Sequence, residues 1–236
     1  MGARRIIIGV TGATGAPFAV RVLQMLREIP GVETHLVLST WARTNIEMET
    51  SLSVREVTEL ADVTYKLAEQ GAPISSGSFR TEGMIIVPCS MRTLAAVRHG
   101  LADNLVTRAA DVVLKERRKL VLVPRETPLN DIHLENMLAL SRMGVRIVPP
   151  MPAFYNSPET IDDLIDHVAV RILDQFDLDA PQARRWRGLD VARRDRAAAR
   201  SLPVRTDHRH RMIDECPRGR IDDIARTPGD PDPSRR

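Results

Sequence analysis

Aromatic side chains are scarce here: Phe, Tyr and Trp together make up 3% of 236 residues. Hydrophobic residues still reach 43%, so a sizeable core is available, and aliphatic side chains must build it. Cysteine is nearly absent. Cys89 and Cys216 stand in unlike surroundings, which excludes a disulfide framework or a metal site made by cysteine alone. No apolar run is long enough to span a bilayer. Arg4 and Arg5 before Ile6, Ile7 and Ile8 imitate a signal peptide, but the apolar part is short and ends in a polar turn. A cytoplasmic protein without a membrane partner is therefore expected. The chain body also lacks a basic excess: residues 1–183 hold 19 basic against 22 acidic side chains. Residues 184–236 hold 15 arginines against 9 acids, so the basic pI belongs to the tail. The body carries no compositional sign of nucleic-acid binding.

What is present is a regular alternation. Continuous apolar runs at 6–10, 35–38, 84–87, 120–123 and 145–148 read as parallel strands covered on both faces. Helical periods at 17–29, 40–50, 54–61, 104–118 and 133–143 lie between them, and a last helix covers 158–176. Ser53 and Glu56 have capping-box spacing, Pro17 and Pro158 suit a first helical position with Ser157 as cap, and Gly144 suits a helix end. Strand–helix repetition of this kind predicts an α/β, three-layer, doubly wound parallel sheet as a single domain over 1–180, with ligands at the carboxyl ends of the strands. Residues 181–236 are rich in Arg, Pro and Asp and read as a tail, disordered apart from docking near Trp186.

Gly9, Gly12 and Gly15 follow the first strand with G-x-x-G-x-x-G spacing, which is neither a dinucleotide fingerprint nor a P-loop. Ser39 and Thr40 stand where a dinucleotide fold wants an acid, favouring a phosphate or ribityl group. Amides at the next helix start, with the Thr11 and Thr14 hydroxyls, suit one phosphate. Ser90 and Thr93, beside Arg92, make a second hydroxyl-rich anion site or a plain cap. Arg125 and Glu126 follow a buried strand directly, where Arg can grip phosphate and Glu can move protons, against the plainer reading of a surface ion pair. Arg108, Asp111 and Lys115 share a helix stripe, and Arg117, Arg118 and Lys119 read as cations complementing a helix end. Lys115 is one of three lysines beside 31 arginines. Glu49 ends a helix where an acid opposes the dipole. Tyr155 falls after the fifth strand, and Arg171 interrupts the apolar pattern of the last helix. His133 and Glu135, two apart, are a poor metal pair.

Taken together, "GVTGATGAPFAVRVL", "ISSGSF", "PCSMRTLA", "ADNLVTRAADVVLKERRKLVLVPRETPL", "HLENML" and "PPMPAFY" resemble the UbiX-type flavin prenyltransferases. That group includes the B-subunit homologues of hydroxyaryl-acid decarboxylases, and the likeness runs over residues 4–187. The resemblance implies a flavodoxin-like (Rossmann-like) sheet, a dodecamer with sites at subunit contacts, and no metal. It implies joining of the dimethylallyl group of dimethylallyl phosphate to N5 and C6 of reduced FMN. The prenylated product would serve a UbiD-type decarboxylase. By the same resemblance Gly12, Ala13, Thr14, Ser39, Ser90, Met91, Arg92, Thr93 and Arg125 are FMN contacts. Lys115, Arg125, Tyr155 and Arg171 grip the donor phosphate, and Glu49, Lys115 and Glu126 are catalytic. Thr14 replaces a common Ser and keeps its hydroxyl, while Arg92 occupies a variable place. Two rivals stand beside this reading: a flavin-dependent cysteine decarboxylase, which has no use for a phosphate clamp, and a non-catalytic FMN-binding partner subunit. A nucleic-acid role for the tail is a third.

Overall fold

The computed structural model describes residues 2–180, 185, 186, 188 and 189. The fates expected for the rest of 181–236 lie outside the described residues. Six strands form one sheet: β1 (Arg4–Val10), β2 (Val32–Leu38), β3 (Val63–Tyr65), β4 (Gly83–Cys89), β5 (Lys119–Pro124) and β6 (Arg146–Ile147). Their order is β3-β2-β1-β4-β5-β6 and every pairing is parallel. The sequence reading finds five of these strands. β3 escapes it because three residues carry no run, and their pairing with His35, Leu36 and Val37 is what makes them a strand.

Alternate residues of β1 enter opposite cores, as a pleated strand requires. Ile6, Ile8 and Val10 join one cluster with α1 (Ala16–Glu28), α2 (Thr40–Glu49), α3 (Val54–Thr58) and α7 (Ile161–Leu173). Ile7 joins the other with α4 (Met91–Arg98), α5 (Leu105–Lys115) and α6 (Asp131–Arg142). The result is the three-layer, doubly wound α/β fold that the alternation predicts. Among the described residues no helix is long and apolar enough to cross a membrane.

Helix ends account for most of the differences from the expected spans. α7 starts at Ile161 and not at 158, because Thr160 and Asp163 form a capping box while Ser157 takes a positive φ of 52°. α3 stops at Thr58, although its Ser53–Glu56 capping box is present. α5 stops at Lys115, and Arg117 turns left-handed at φ 53°. Arg118 and Lys119 are thus spent elsewhere than on a helix dipole. Arg118 donates to the carbonyls of Gly77 and Phe79, and Lys119 opens β5 and pairs with Asp177. Gly144, φ 90°, does follow the end of α6.

Candidate active site

The order of strands reverses between β1 and β4, so the crevice at their carboxyl ends is where this topology collects ligands. Thr11 ties the crevice walls together. Its hydroxyl donates to Pro88 O (2.8 Å) and accepts from Ser90 N (2.8 Å). That hydroxyl is therefore not a phosphate ligand, contrary to the sequence reading. The amides of Gly15 and Ala16 are likewise taken: both donate to Glu49 Oε2, at 2.7 and 2.8 Å. The acid that seemed misplaced at the end of α2 caps the N-terminus of α1, where a negative charge is favoured.

The unpartnered donors lie on either side. The Gly12 and Thr14 amides, and those of Met91 and Arg92 in the first turn of α4, enter no hydrogen bond among the described residues. Ser90 caps α4 by accepting from Thr93 N (3.3 Å) and donates to Thr93 Oγ1 (3.1 Å). Ser39 caps α2 by accepting from Ala42 N (3.1 Å). The glycine turn and the start of α4 thus offer free amides at one edge of the sheet, a donor set suited to a phosphate. Arg125 reaches the same edge: its amide donates to Cys89 O (3.3 Å), and its exposed guanidinium has no partner among the described residues. Glu126 is exposed beside it and accepts from Thr127 N (3.1 Å), so the two do not form the surface ion pair that was the plainer alternative.

Two residues of the crevice escape the sequence reading. Asn45 Nδ2 donates to Ala13 O (2.8 Å) and holds the turn. Trp41, 69% exposed, lies so close over Gly12 that a Cβ there would overlap the Trp41 Cβ. The usable signal was that the two lie four apart, which puts both on one face of α2.

The remaining predicted residues lie elsewhere in the chain. Lys115 ends α5 just before β5 begins, whereas Arg125 follows the end of β5. With a rise of about 3.3 Å per residue, the ends of that strand are on the order of 17 Å apart. Arg171 also lies toward the amino edge of the sheet. It pairs with Asp174 (2.6 Å), and the segment just beyond bonds the first residues of β1 and β5, through Arg4 Nη2 to Phe176 O and Lys119 to Asp177. Asp174 also takes Arg185 (2.8 Å). Tyr155 stands edge-on to His167 (5.6 Å) and to Trp186 (5.5 Å). Burial, with the Arg171 charge beside it, lowers the His167 pKa. Next to Tyr155, Asn156 Oδ1 is buried with no hydrogen-bond partner among the described residues. Trp186 thus lies against Tyr155. One chain brings together Gly12, Ala13, Thr14, Ser39, Glu49, Ser90, Met91, Arg92, Thr93, Arg125 and Glu126, and leaves Lys115 and Arg171 at the other edge.

Among the described residues no group of three or more His, Cys, Asp or Glu could hold a metal ion, and burial pushes the Cys89 thiol far up, keeping it protonated.

Sheet and crevice define a class: an α/β protein that holds a mononucleotide at the switch point of a doubly wound sheet. The family model described as Flavoprotein matches residues 1–173. A "probable UbiX-like flavin prenyltransferase" of Streptomyces sp. (strain D7) is 72% identical over 84% of this chain and 98% of its own length. Two crystal structures agree with it. A dodecameric FMN-dependent UbiX-like decarboxylase from Escherichia coli O157:H7 is 68% identical, with TM-score 0.77, over 78% of this chain and 100% of that one. A UbiX protein in complex with FMN and dimethylallyl pyrophosphate is 53% identical, with TM-score 0.78, over 79% of this chain and 99% of that one. The chain belongs to the UbiX-like flavin prenyltransferases.

Proposed function

We propose that this enzyme transfers the dimethylallyl group of dimethylallyl phosphate to reduced FMN, and that each site is completed by a second copy of the chain. The observation that carries the reading is the set of unpartnered donors at one crevice: the amides of Gly12, Thr14, Met91 and Arg92, with the Arg125 guanidinium. These would anchor FMN, together with Ala13, Ser39, Ser90 and Thr93. Reduced FMN supplies the nucleophilic N5 and C6.

Dimethylallyl phosphate is a poor electrophile until its leaving phosphate is stabilised. Lys115, Arg125, Arg171 and the Tyr155 hydroxyl supply that stabilisation without a metal, aimed at charge that develops as the bond breaks. Closure at C6 requires loss of a ring proton, and Glu126 or Glu49 takes it, with the released phosphate as competitor. Both α1 amides go to Oε2 of Glu49, and Oε1 is the oxygen that would take the proton.

Because β5 separates Lys115 and Arg171 from the crevice within one chain, the clamp is assembled between chains in a symmetric homo-oligomer. Exposed apolar side chains support such assembly: Ile132 and Leu138 on α6, with Met151, Phe154 and Ile161 nearby in sequence. The cytoplasm is the compartment this reading implies, and a UbiD-type decarboxylase is the recipient of the product. A cysteine decarboxylase is not favoured, since the high-identity relatives carry prenyltransferase names.

The test is anaerobic incubation with reduced FMN and dimethylallyl phosphate, followed by mass spectrometry of the extracted flavin. A gain of one five-carbon unit is expected. Bound but unmodified FMN would leave a carrier subunit instead.

A further inference from the structure

The cations of α5 and of the turn behind it act on one short segment, residues 75–79, whose sequence matches the family but which the proposed chemistry leaves without a role. Arg108 Nε donates to Ser75 O (3.2 Å). Arg118 donates to Gly77 O (2.6 Å) and to Phe79 O (2.8 Å). Phe79 is fixed in turn: the His35 ring stands edge-on at 5.2 Å and the Arg5 guanidinium lies 4.7 Å from its centroid. The segment is thus pinned along α5 through its carbonyls, leaving the Ser76 and Ser78 hydroxyls exposed and 2.9 Å from each other.

Lys115 lies across this segment at Gly77. A Cβ built on Gly77 would stand 2.8 Å from Lys115 Nζ and would overlap the Glu116 carboxyl group. Lys115 and Glu116 form an ion pair there, and Glu116 also lies 4.0 Å from Arg118. Adjacent residues of a helix do not face each other. These two meet because Glu116 leaves the helix as its C-cap, Arg117 turns left-handed behind it, and Gly77 offers no side chain in the space they occupy. The hydrogen bond and charge of Lys115 lower the Glu116 pKa, which keeps the carboxylate as its counter-ion near neutrality.

We propose that Gly77, Glu116 and Arg118 form a cradle that positions Lys115 for the donor phosphate, with Glu116 as the counter-ion that the phosphate displaces. This rests on Lys115 being a donor-phosphate ligand, as argued above. A lysine on a flexible stem loses rotamer freedom whenever it grips a ligand, and one already held in place loses less. An anionic donor trades places with a carboxylate, so binding acquires a competition that a neutral ligand would not meet. Gly77, Glu116 and Arg118 are positioning residues and need not touch the reacting atoms.

The test uses the full chain with Glu116→Gln and Gly77→Ala. It measures KM for dimethylallyl phosphate, kcat, FMN affinity, and the rate at which an acetyl ester labels Lys115. Three lysines in the chain let peptide mass spectrometry assign the label. With Glu116→Gln, KM is expected to fall about threefold and Lys115 to label about threefold faster, since a freed amine reacts faster than an ion-paired one. With Gly77→Ala, labelling also rises, but KM rises about tenfold while FMN affinity holds, because Lys115 is pushed off its direction. Opposite movements of KM from one cradle are what a general loss of stability would not produce. Unchanged KM and labelling in Glu116→Gln, a surface change that leaves packing intact, would overturn the cradle even if Gly77→Ala failed to fold. If the wild-type enzyme made no prenylated flavin, the functional reading would fall alone, and the labelling rates would still decide whether Gly77 and Glu116 hold Lys115.

Discussion

Thr11, Thr14 and Gly12 sit within four positions of one another and have two different fates. All three looked like parts of one phosphate cradle in the sequence. Thr11 turned out to be a buried rivet between β1 and β4, and only the exposed turn of Gly12 and Thr14 keeps free amides. Gly12 is glycine because α2 passes directly over it. Gly12→Ala is expected to cost about 1–3 kcal/mol through overpacking, and FMN affinity should fall with it, as read by denaturant melts and a flavin titration. Trp41→Ala should not rescue the variant, since the clash is with the Trp41 Cβ itself. Recovery in that double variant would refute the steric account. Composition and motif spacing point to this turn. That the Thr11 hydroxyl serves the fold depends on Pro88 and Ser90, far away in sequence, and no local signal carries that. Glu49 is a related case: its conflict with its own helix was legible, and its resolution on α1 was not.

The chain's elements were legible where a long apolar run or a capping residue marked them, and obscure where pairing alone made them. β1, β2, β4 and β5 are strands by composition, whereas β3 exists by virtue of β2. The same edge hides a buried polar group, His35, whose Nδ1 lies 2.9 Å from Tyr65 Oη and whose Nε2 lies 3.0 Å from Glu33 Oε1. Burial lowers the His35 pKa below its ordinary 6.5, with Glu33 pulling the other way. The folded state therefore binds this proton less readily than the unfolded chain. The contribution of His35 is present above pH 6.5 and is lost as pH falls below it. Denaturant melts between pH about 7.5 and about 5.5 should show stability falling with acid, more steeply than in His35→Gln. Equal slopes in the two proteins would remove His35 from the account. Since Phe79 packs on His35, the same acid range is expected to loosen the segment under Lys115.

At the scale of the molecule, the proposed donor clamp draws on residues that lie at opposite edges of one sheet within a chain. An Arg125→Ala variant and a Lys115→Ala variant, each inactive alone, should regain activity when co-assembled, up to about a quarter of wild type if every site draws the two residues from different chains and mixing is random. No recovery at any mixing ratio would sink the shared site. What the amino-acid sequence determined by itself was whatever depends on neighbours along the chain. Alternating aliphatic runs and helix starts dictate the doubly wound sheet, and that sheet's carboxyl edge dictates where a mononucleotide can lie. Tertiary structure decided what depends on residues brought close from far away: that Glu49 takes the amides meant for a phosphate, that Thr11 is structural, and that Lys115 rests on Gly77 at the far edge from Arg125. The physical reason is that a side chain's free valences are set by its partners in space, and those are not written in local spacing.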